Sequence, residues 1–145
     1  MKIGLSGLLR GLAPAASPWK PAGQPYPSLQ TFDVKTLAGQ AGVYAAWHLG
    51  VRPRWLRVGG AADLGAALTK LRALPEVQAA ITHDGVYFAW ATGVADIPTA
   101  LASLNAALQP YLHSLDLAGE IKAAAKVDKA FPLPPGSQSP VPPAA

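Results

Sequence analysis

The stretch from Gly42 to Gly60 constrains the fold of this chain more than any other part of the sequence. Between Val43 and Leu49 the bulky side chains alternate between two faces, with the period of two that a β-strand requires. The same alternation resumes from Trp55 to Val58. The intervening Gly50-Val51-Arg52-Pro53 combines a residue that tolerates positive φ with one that cannot pair in a ladder. The stretch therefore predicts a β-hairpin whose loop is slightly longer than two residues.

Two helix caps follow the hairpin. Asp63 can cap a helix that Pro75 ends, because the residue before a proline avoids the helical region. Asp96 can cap a second helix that runs to Pro110. Both segments carry leucines at helical spacing, so we expect each helix to pack on a sheet through that face. The leucines are Leu64, Leu68 and Leu71 in the first helix, and Leu101, Leu104 and Leu108 in the second.

Between these helices the sequence predicts a second hairpin. The segments Val77 to Thr82 and Val86 to Ala91 are rich in strand-forming residues, and His83-Asp84-Gly85 between them is a turn signal. A last helix is predicted from Leu115 to Ala130, with three lysines at helical spacing on one side: Lys122, Lys126 and Lys129. This order of elements predicts an α+β domain, in which a small antiparallel β-sheet is flanked by helices.

Both ends of the chain are rich in proline. Residues 1–28 are interpreted as an arm, in which Met1 to Leu12 has an amphipathic helical pattern and the later prolines exclude a continuous helix. We expect Trp19 and Tyr26 of the arm to pack on the domain formed by residues 29–130. Residues 131–145 lack apolar periodicity and predict a disordered, partly polyproline-like tail.

The composition limits the class of protein. A chain of 145 residues fits one domain. It contains no cysteine, and its histidines and carboxylates lack the spacing of a metal site, so no metal and no other cofactor is expected. No uncharged apolar run reaches the roughly 18 residues of a membrane span, so we expect no membrane association and a cytoplasmic location. A formal net charge of +4 is compatible with nucleic-acid binding but does not by itself predict it.

The hairpin also carries a recognisable motif. Gly42-Val43-Tyr44 lies on its first strand, and Arg57-Val58-Gly59 lies on its second strand, ahead of the helix that begins at Asp63-Leu64. This arrangement resembles the GIY-YIG endonuclease family, in which a Gly-Ile-Tyr strand is followed after a short hairpin by a Tyr-Ile-Gly strand. The resemblance covers roughly residues 30–112. It departs from the family at Arg57, which stands where the second tyrosine is expected.

The resemblance implies a catalytic site that this chain has lost. Members of the family cut phosphodiester bonds with the two motif tyrosines, an arginine on the first helix and a metal-binding glutamate on a later helix. Tyr44 keeps the first tyrosine, but the arginine falls near Ala67 and the glutamate near Leu101. We therefore expect a degenerate nuclease that is not an enzyme, with a metal-dependent endonuclease of divergent active site as an open alternative. Three nearby residues could act as substitutes: Lys70, Arg72 and Asp96.

Positive charge concentrates on the hairpin and on the last predicted helix. Arg52, Arg54 and Arg57 surround Trp55, and regular alternation would place Trp55 and Arg57 on the same side of the strand. Arginine beside an exposed aromatic ring can bind phosphate and stack on an unpaired base. The pattern, with the three lysines of residues 115–130, predicts non-catalytic binding of single-stranded or branched DNA, in DNA maintenance or repair. The alternative is a protein-interaction or scaffold domain, including one that binds a second copy of itself.

Overall fold

The computed structural model describes residues 17–22, 25–137 and 140–143. Its strands are β1 Trp19–Lys20, β2 Gly42–His48, β3 Arg54–Ala61 and β4 Val86–Thr92. Its helices are α1 Leu64–Ala73, α2 Pro75–His83 and α3 Ile97–Leu108, with a short 3-10 helix at Val34–Leu37. The four strands form one antiparallel sheet in the order β1-β4-β2-β3, and helices pack on both of its faces. The predicted α+β class, with an antiparallel sheet flanked by helices, is confirmed.

Strand β2 lies at the centre of the domain and confirms the predicted first hairpin. It pairs with β3 on one side and with β4 on the other, and its residues Gly42 to Trp47 are buried. Val43 and Trp47 face a core under α3, whereas Tyr44 and Ala46 face a second core under α1 and α2. The alternation in the sequence therefore describes a strand that is covered on both faces.

Local capping signals fix the starts of α1 and α3. The Asp63 carboxylate accepts a hydrogen bond from the Ala66 N–H at 3.1 Å, and the Asp96 carboxylate accepts one from the Thr99 N–H at 3.2 Å. Each bond satisfies an N–H group that the helix itself cannot pair. The leucines that were expected to face the sheet are all buried. Both predicted helices are confirmed.

The strand predicted from Val77 to Thr82 is wrong, because these residues belong to helix α2. Pro75 ends α1 and also occupies the first turn of α2, where a missing N–H costs nothing. Val77 and Ala80 lie three residues apart and both face the core, as helical periodicity allows. The β-branched residues favour a strand only weakly, and tertiary packing outweighs that preference. The strand predicted from residue 86 is confirmed as β4.

The helix predicted from Leu115 to Ala130 is also wrong, because the segment is irregular. Part of its backbone pairs with β3 instead of forming the hydrogen bonds of a helix. The Ile121 N–H donates to the Gly60 carbonyl at 2.7 Å, and Glu120 forms an isolated antiparallel bridge with Ala61. These contacts cover the outer edge of β3, whose backbone groups would otherwise lack partners in the sheet. Pairing with that edge stabilises the alanine-rich segment more than its helical preference does.

One extra residue in β3 interrupts the alternation of its side chains. Ala46 lies opposite Arg57, but the next residue of β2, Trp47, lies opposite Trp55. Leu56 is therefore the extra residue of a β-bulge. As a result Trp55 and Arg57 face opposite sides of the sheet, and the prediction that they share a side is wrong.

The proline-rich arm and tail hold each other against the domain. Trp19 packs edge-on against Phe131, with ring centroids 5.8 Å apart, and its Nε1–H donates to the Pro132 carbonyl at 2.7 Å. The Tyr26 hydroxyl donates to the Pro135 carbonyl at 2.5 Å. Both aromatic residues of the arm are buried, as expected. Pro134, Pro142 and Pro143 of the tail are also buried, whereas Pro135, Gly136 and Val141 are exposed. The tail therefore makes specific contacts with the arm, where a disordered tail was predicted, because buried aromatic donors are paired with its carbonyls.

Two expectations concern the rest of the chain. The amphipathic pattern from Met1 to Leu12 lies outside the described residues. Within residues 17–22, 25–137 and 140–143, no helix has the length and apolar character to cross a membrane.

Removing the tail tests this docking. A chain that ends at Ala130 lacks Phe131 and the carbonyls of Pro132 and Pro135, and it leaves two aromatic donors without their acceptors. We expect the free energy of unfolding to fall by about 3 kcal/mol, because each unsatisfied buried group costs roughly 1–3 kcal/mol. The melting temperature, followed by circular dichroism, should fall by about 6–12 °C. A control chain that ends at Pro143 keeps these contacts and the buried Pro142 and Pro143, and it should melt close to the full chain. Equal melting temperatures for all three chains would contradict the docking.

Candidate nucleic-acid interface

Three side chains from distant parts of the chain meet at the outer edge of β3. The Tyr44 hydroxyl donates to Glu120 Oε2 at 2.5 Å, and Arg57 Nη2 donates to Glu120 Oε1 at 2.7 Å. Arg57 Nη1 donates to the Leu112 carbonyl at 2.7 Å. The side chains of Arg57 and Glu120 are only 7% and 6% exposed, respectively. They form a buried ion pair in which each charge has a partner.

Gly59 makes room for the ring of Tyr44. The two residues lie opposite each other in the pairing of β2 with β3. A Cβ atom on Gly59 would lie 2.5 Å from the Tyr44 hydroxyl oxygen, well inside the 3.4 Å at which ordinary contact begins. Only glycine therefore lets the phenol pass across β3 to reach Glu120, and this glycine of the motif has a packing role in this chain.

Burial controls the ionisation of this cluster. It raises the pKa of the Tyr44 phenol well above the ordinary value of 10.0, and the negative charge of Glu120 raises that pKa further. Burial alone would lower the pKa of Arg57. The negative charge that Tyr44 would carry when ionised and the hydrogen bond to Glu120 outweigh this effect, and the Arg57 pKa is raised. Tyr44 is therefore neutral and Arg57 is charged at neutral pH.

The two positions where the resemblance implies catalytic residues are apolar and lie on opposite faces of the sheet. Ala67 is 4% exposed in the core under α1, and Leu101 is 2% exposed in the core under α3. The glutamate that contacts Tyr44 is Glu120, which the sequence analysis missed. In the sequence Glu120 and Tyr44 are 76 residues apart, and no local pattern connects them. Only the path of the irregular segment brings them together.

The three suggested substitutes have structural roles in the described part of the chain. Lys70 Nζ donates to the Ala118 carbonyl at 2.9 Å. Arg72 Nη1 donates to two backbone carbonyls at 3.3 Å, and Asp96 caps α3. Among the described residues, no group of three or more His, Asp or Glu side chains could hold a metal ion.

The hairpin exposes fewer candidate residues than the sequence predicted. Trp55 is 2% exposed and packs on a second tryptophan with ring centroids 5.2 Å apart, and Arg57 is 6% exposed. The expectation that the two residues form an exposed arginine and aromatic surface is wrong, because the bulge turns Trp55 into the core under α3 and Arg57 towards Glu120. Arg52 and Arg54 are exposed. The Arg54 guanidinium lies over the Tyr111 ring, 4.4 Å from its centroid.

One carboxylate lies beside the exposed arginines. Asp84 Oδ2 is 3.3 Å from His48 Nδ1, and both residues line the depression that Arg52 and Arg54 also line. The two arginines outnumber this carboxylate, so the hairpin tip keeps an excess of positive charge.

Two neighbouring depressions connect the hairpin to the irregular segment. Arg54, Asn105 and His113 line one depression. Asn105 and His113 also line a neighbouring cavity whose wall includes Lys122. We call these four residues the Arg54–Lys122 surface. It places an exposed cation at each end and neutral or weakly basic polar groups between them.

The lysines of the irregular segment extend this surface beside α3. Lys122, Lys126 and Lys129 are all exposed. Between them the Ala124 N–H donates to the Pro98 carbonyl at 2.9 Å, which holds the segment against the start of α3. The lysines therefore lie along a loop, and not on one face of a helix as the sequence predicted.

Replacing Glu120 tests the buried ion pair. In Glu120→Ala the Arg57 charge stays buried without its carboxylate, and Tyr44 loses its acceptor. We expect the free energy of unfolding, measured by urea denaturation, to fall by about 3–5 kcal/mol. The control Asp116→Ala removes an exposed carboxylate that lines the same cavity as Glu120. It should change the free energy of unfolding by less than about 0.5 kcal/mol. Similar losses for the two variants would show that the ion pair is unimportant.

The raised pKa of Tyr44 predicts a loss of stability at alkaline pH. The folded state holds the phenolic proton more tightly than the unfolded state, so this contribution is complete below pH 10 and is lost as the pH rises towards the folded pKa. Relative to Tyr44→Phe, the free energy of unfolding should fall by about 1.4 kcal/mol per pH unit above pH 10. Urea denaturation at several pH values measures both slopes. Parallel slopes for the two proteins would contradict the burial of this phenol.

The comparisons with known proteins give no family for this chain. No family model, no curated protein and no solved structure matches it.

Proposed function

We propose that this chain is a non-catalytic nucleic-acid-binding domain that resembles GIY-YIG nucleases in its hairpin motif and binds single-stranded or branched DNA. Maintenance or repair of DNA is the role that the resemblance suggests. The observation that carries the proposal is the Arg54–Lys122 surface, whose two exposed cations flank polar groups. Guanidinium and ammonium groups bind backbone phosphates and release counterions, which is the main source of sequence-independent affinity.

The distribution of charge supports the same function. Twelve lysines and arginines stand against eight carboxylates, and the ion pair between Arg57 and Glu120 removes one charge of each sign from the surface. Five exposed cations remain on the hairpin and the irregular segment, against three exposed carboxylates nearby in the sequence or the fold, Asp84, Asp116 and Asp128. The cations are Arg52, Arg54, Lys122, Lys126 and Lys129.

The buried cluster supports a non-catalytic function. Both carboxylate oxygens of Glu120 already accept hydrogen bonds, one from Tyr44 and one from Arg57. A metal ion at Glu120 would lie beside the Arg57 cation, which already neutralises this carboxylate, in a site from which water is largely excluded. The apolar residues at positions 67 and 101 leave no other charged group where the resemblance implies one.

A metal-dependent endonuclease remains a second candidate because of one observation. Tyr44, which occupies the position of the first motif tyrosine, contacts a glutamate directly. In such an enzyme Glu120 would exchange Arg57 for a divalent cation. Metal-dependent cleavage of branched or single-stranded DNA that Tyr44→Phe abolishes would favour this candidate over the non-catalytic function.

Salt dependence of DNA binding tests the proposed interface. With five phosphate contacts, the slope of log affinity against log salt for a single strand should be about −3.5, at roughly −0.7 for each contact. The double variant Arg52→Ala with Arg54→Ala should weaken binding and flatten the slope by about 1.4. Fluorescence anisotropy with a labelled oligonucleotide at several salt concentrations measures both quantities.

The control variant carries Lys20→Ala with Lys35→Ala, which removes the same charge from exposed positions on β1 and the 3-10 helix. It should leave the slope within about 0.3 of the wild-type value, because neither lysine belongs to the interface. Equal effects of the two double variants would show that the binding depends only on net charge. Absence of binding at low salt, together with self-association that salt does not weaken, would favour the protein-interaction alternative.

A further inference from the structure

A cavity of about 170 Å³ lies in the middle of the Arg54–Lys122 surface, between β3, α3 and the irregular segment. Arg57 lines it from β3, Asn105 lines it from α3, and the irregular segment contributes Asp116, Glu120 and Lys122. Its volume is smaller than the roughly 300–1,000 Å³ of a site for a drug-sized ligand. It fits one small, flat chemical group that enters from the surface.

Two buried polar atoms of the cavity residues have no hydrogen-bond partner among the described residues. They are Arg57 Nε, a donor, and Asn105 Oδ1, an acceptor. The other polar atoms of these side chains are occupied. Asn105 Nδ2 donates to the Leu101 carbonyl at 2.9 Å, and the two terminal nitrogens of Arg57 donate to Leu112 and Glu120. A buried polar atom without a partner costs roughly 1–3 kcal/mol, so a ligand that pairs with both atoms gains affinity.

The charges around the cavity favour a neutral ligand over a phosphate. Glu120 compensates Arg57 within the wall, at a separation of 2.7 Å. Asp116 and Lys122 also contribute one charge of each sign. A phosphate in the cavity would lie near two carboxylates, whereas a neutral group with one donor and one acceptor would meet no repulsion.

We propose that this cavity binds a single pyrimidine base of a DNA strand, an inference that rests on the nucleic-acid-binding function proposed above. Every base presents a donor beside an acceptor on its pairing edge, and a flipped or unpaired base exposes that edge. Both unpaired atoms are less than 1 Å² exposed, so the side chains of Asn105 and Arg57 shift to meet the base, which then donates to Asn105 Oδ1 and accepts from Arg57 Nε. The small volume favours one ring over the two fused rings of a purine.

A base bound in the cavity also explains why a cation lies on either side of it. Arg54 lies at the end nearer the hairpin and Lys122 lies in the wall on the other side. A strand with one base in the cavity presents its flanking phosphates to these two residues. Arg54 and Lys122 therefore supply affinity for any strand, and the cavity distinguishes a strand with a base at this position from one without.

Two oligonucleotides of equal length and charge test the inference: oligothymidylate and a fully abasic strand. We expect the wild-type protein to bind oligothymidylate more tightly. Asn105→Leu should weaken that binding by about two- to tenfold, the effect of one lost net hydrogen bond, and leave binding of the abasic strand unchanged. The control Gln78→Leu removes an amide from the exposed face of α2 and should alter neither affinity.

A second measurement uses the unaltered protein and does not depend on the folding of a variant. Free thymidine should shift the side-chain amide resonance of Asn105 in the NMR spectrum more than free deoxyadenosine does. If the protein binds both oligonucleotides equally and thymidine shifts no resonance of Asn105, the cavity inference fails while the interface proposal stands. If it binds neither oligonucleotide at low salt, both proposals fail.

Discussion

The carboxylate of Glu120 is the contact on which the outer edge of the domain depends. A buried arginine needs a partner for its charge, and Glu120 supplies it while also accepting the proton of Tyr44. Arg57 in turn binds the Leu112 carbonyl, and the Ile121 N–H binds β3. Arg57 therefore holds two points of the chain after α3, Leu112 and Glu120, against β3. Backbone N–H groups of Tyr111, Leu112 and Ile121 also donate to β3 along this edge, and the ion pair adds the buried side-chain contact.

The bulge at Leu56 decides which charged residues remain available for function. In a regular strand Trp55 and Arg57 would share a face and form an arginine and aromatic surface. The extra residue sends Trp55 into the core under α3 and Arg57 towards Tyr44 on the other side. The hairpin keeps Arg54 as the exposed cation of the depression next to the cavity. The β-bulge thus buries the tryptophan that could have stacked on a base, and it turns Arg57, whose Nε is the donor for the proposed base, towards the cavity residues.

Stability and proposed function use the same residues in different ways. Arg57 binds Glu120 with one nitrogen and the backbone of Leu112 with another, yet its Nε faces no partner among the described residues. In the proposed function, affinity for phosphate comes from the exposed cations, and preference for a base comes from the cavity. The ion pair makes that cavity neutral, which suits a base and disfavours both a phosphate and a metal ion.

The sequence alone determined the elements whose signals are local. Alternation placed β2, aspartate caps placed α1 and α3, and spaced leucines identified their buried faces, because a few neighbouring residues set each of these preferences. Tertiary structure decided the rest. The segment from Val77 to Thr82 is helical because helical spacing brings its apolar residues to the core. Residues 115–130 are irregular because part of their backbone pairs with the edge of β3. The contact between Tyr44 and Glu120 spans 76 residues. Such contacts depend on the path of the backbone through the fold, and no local pattern of residue types predicts that path.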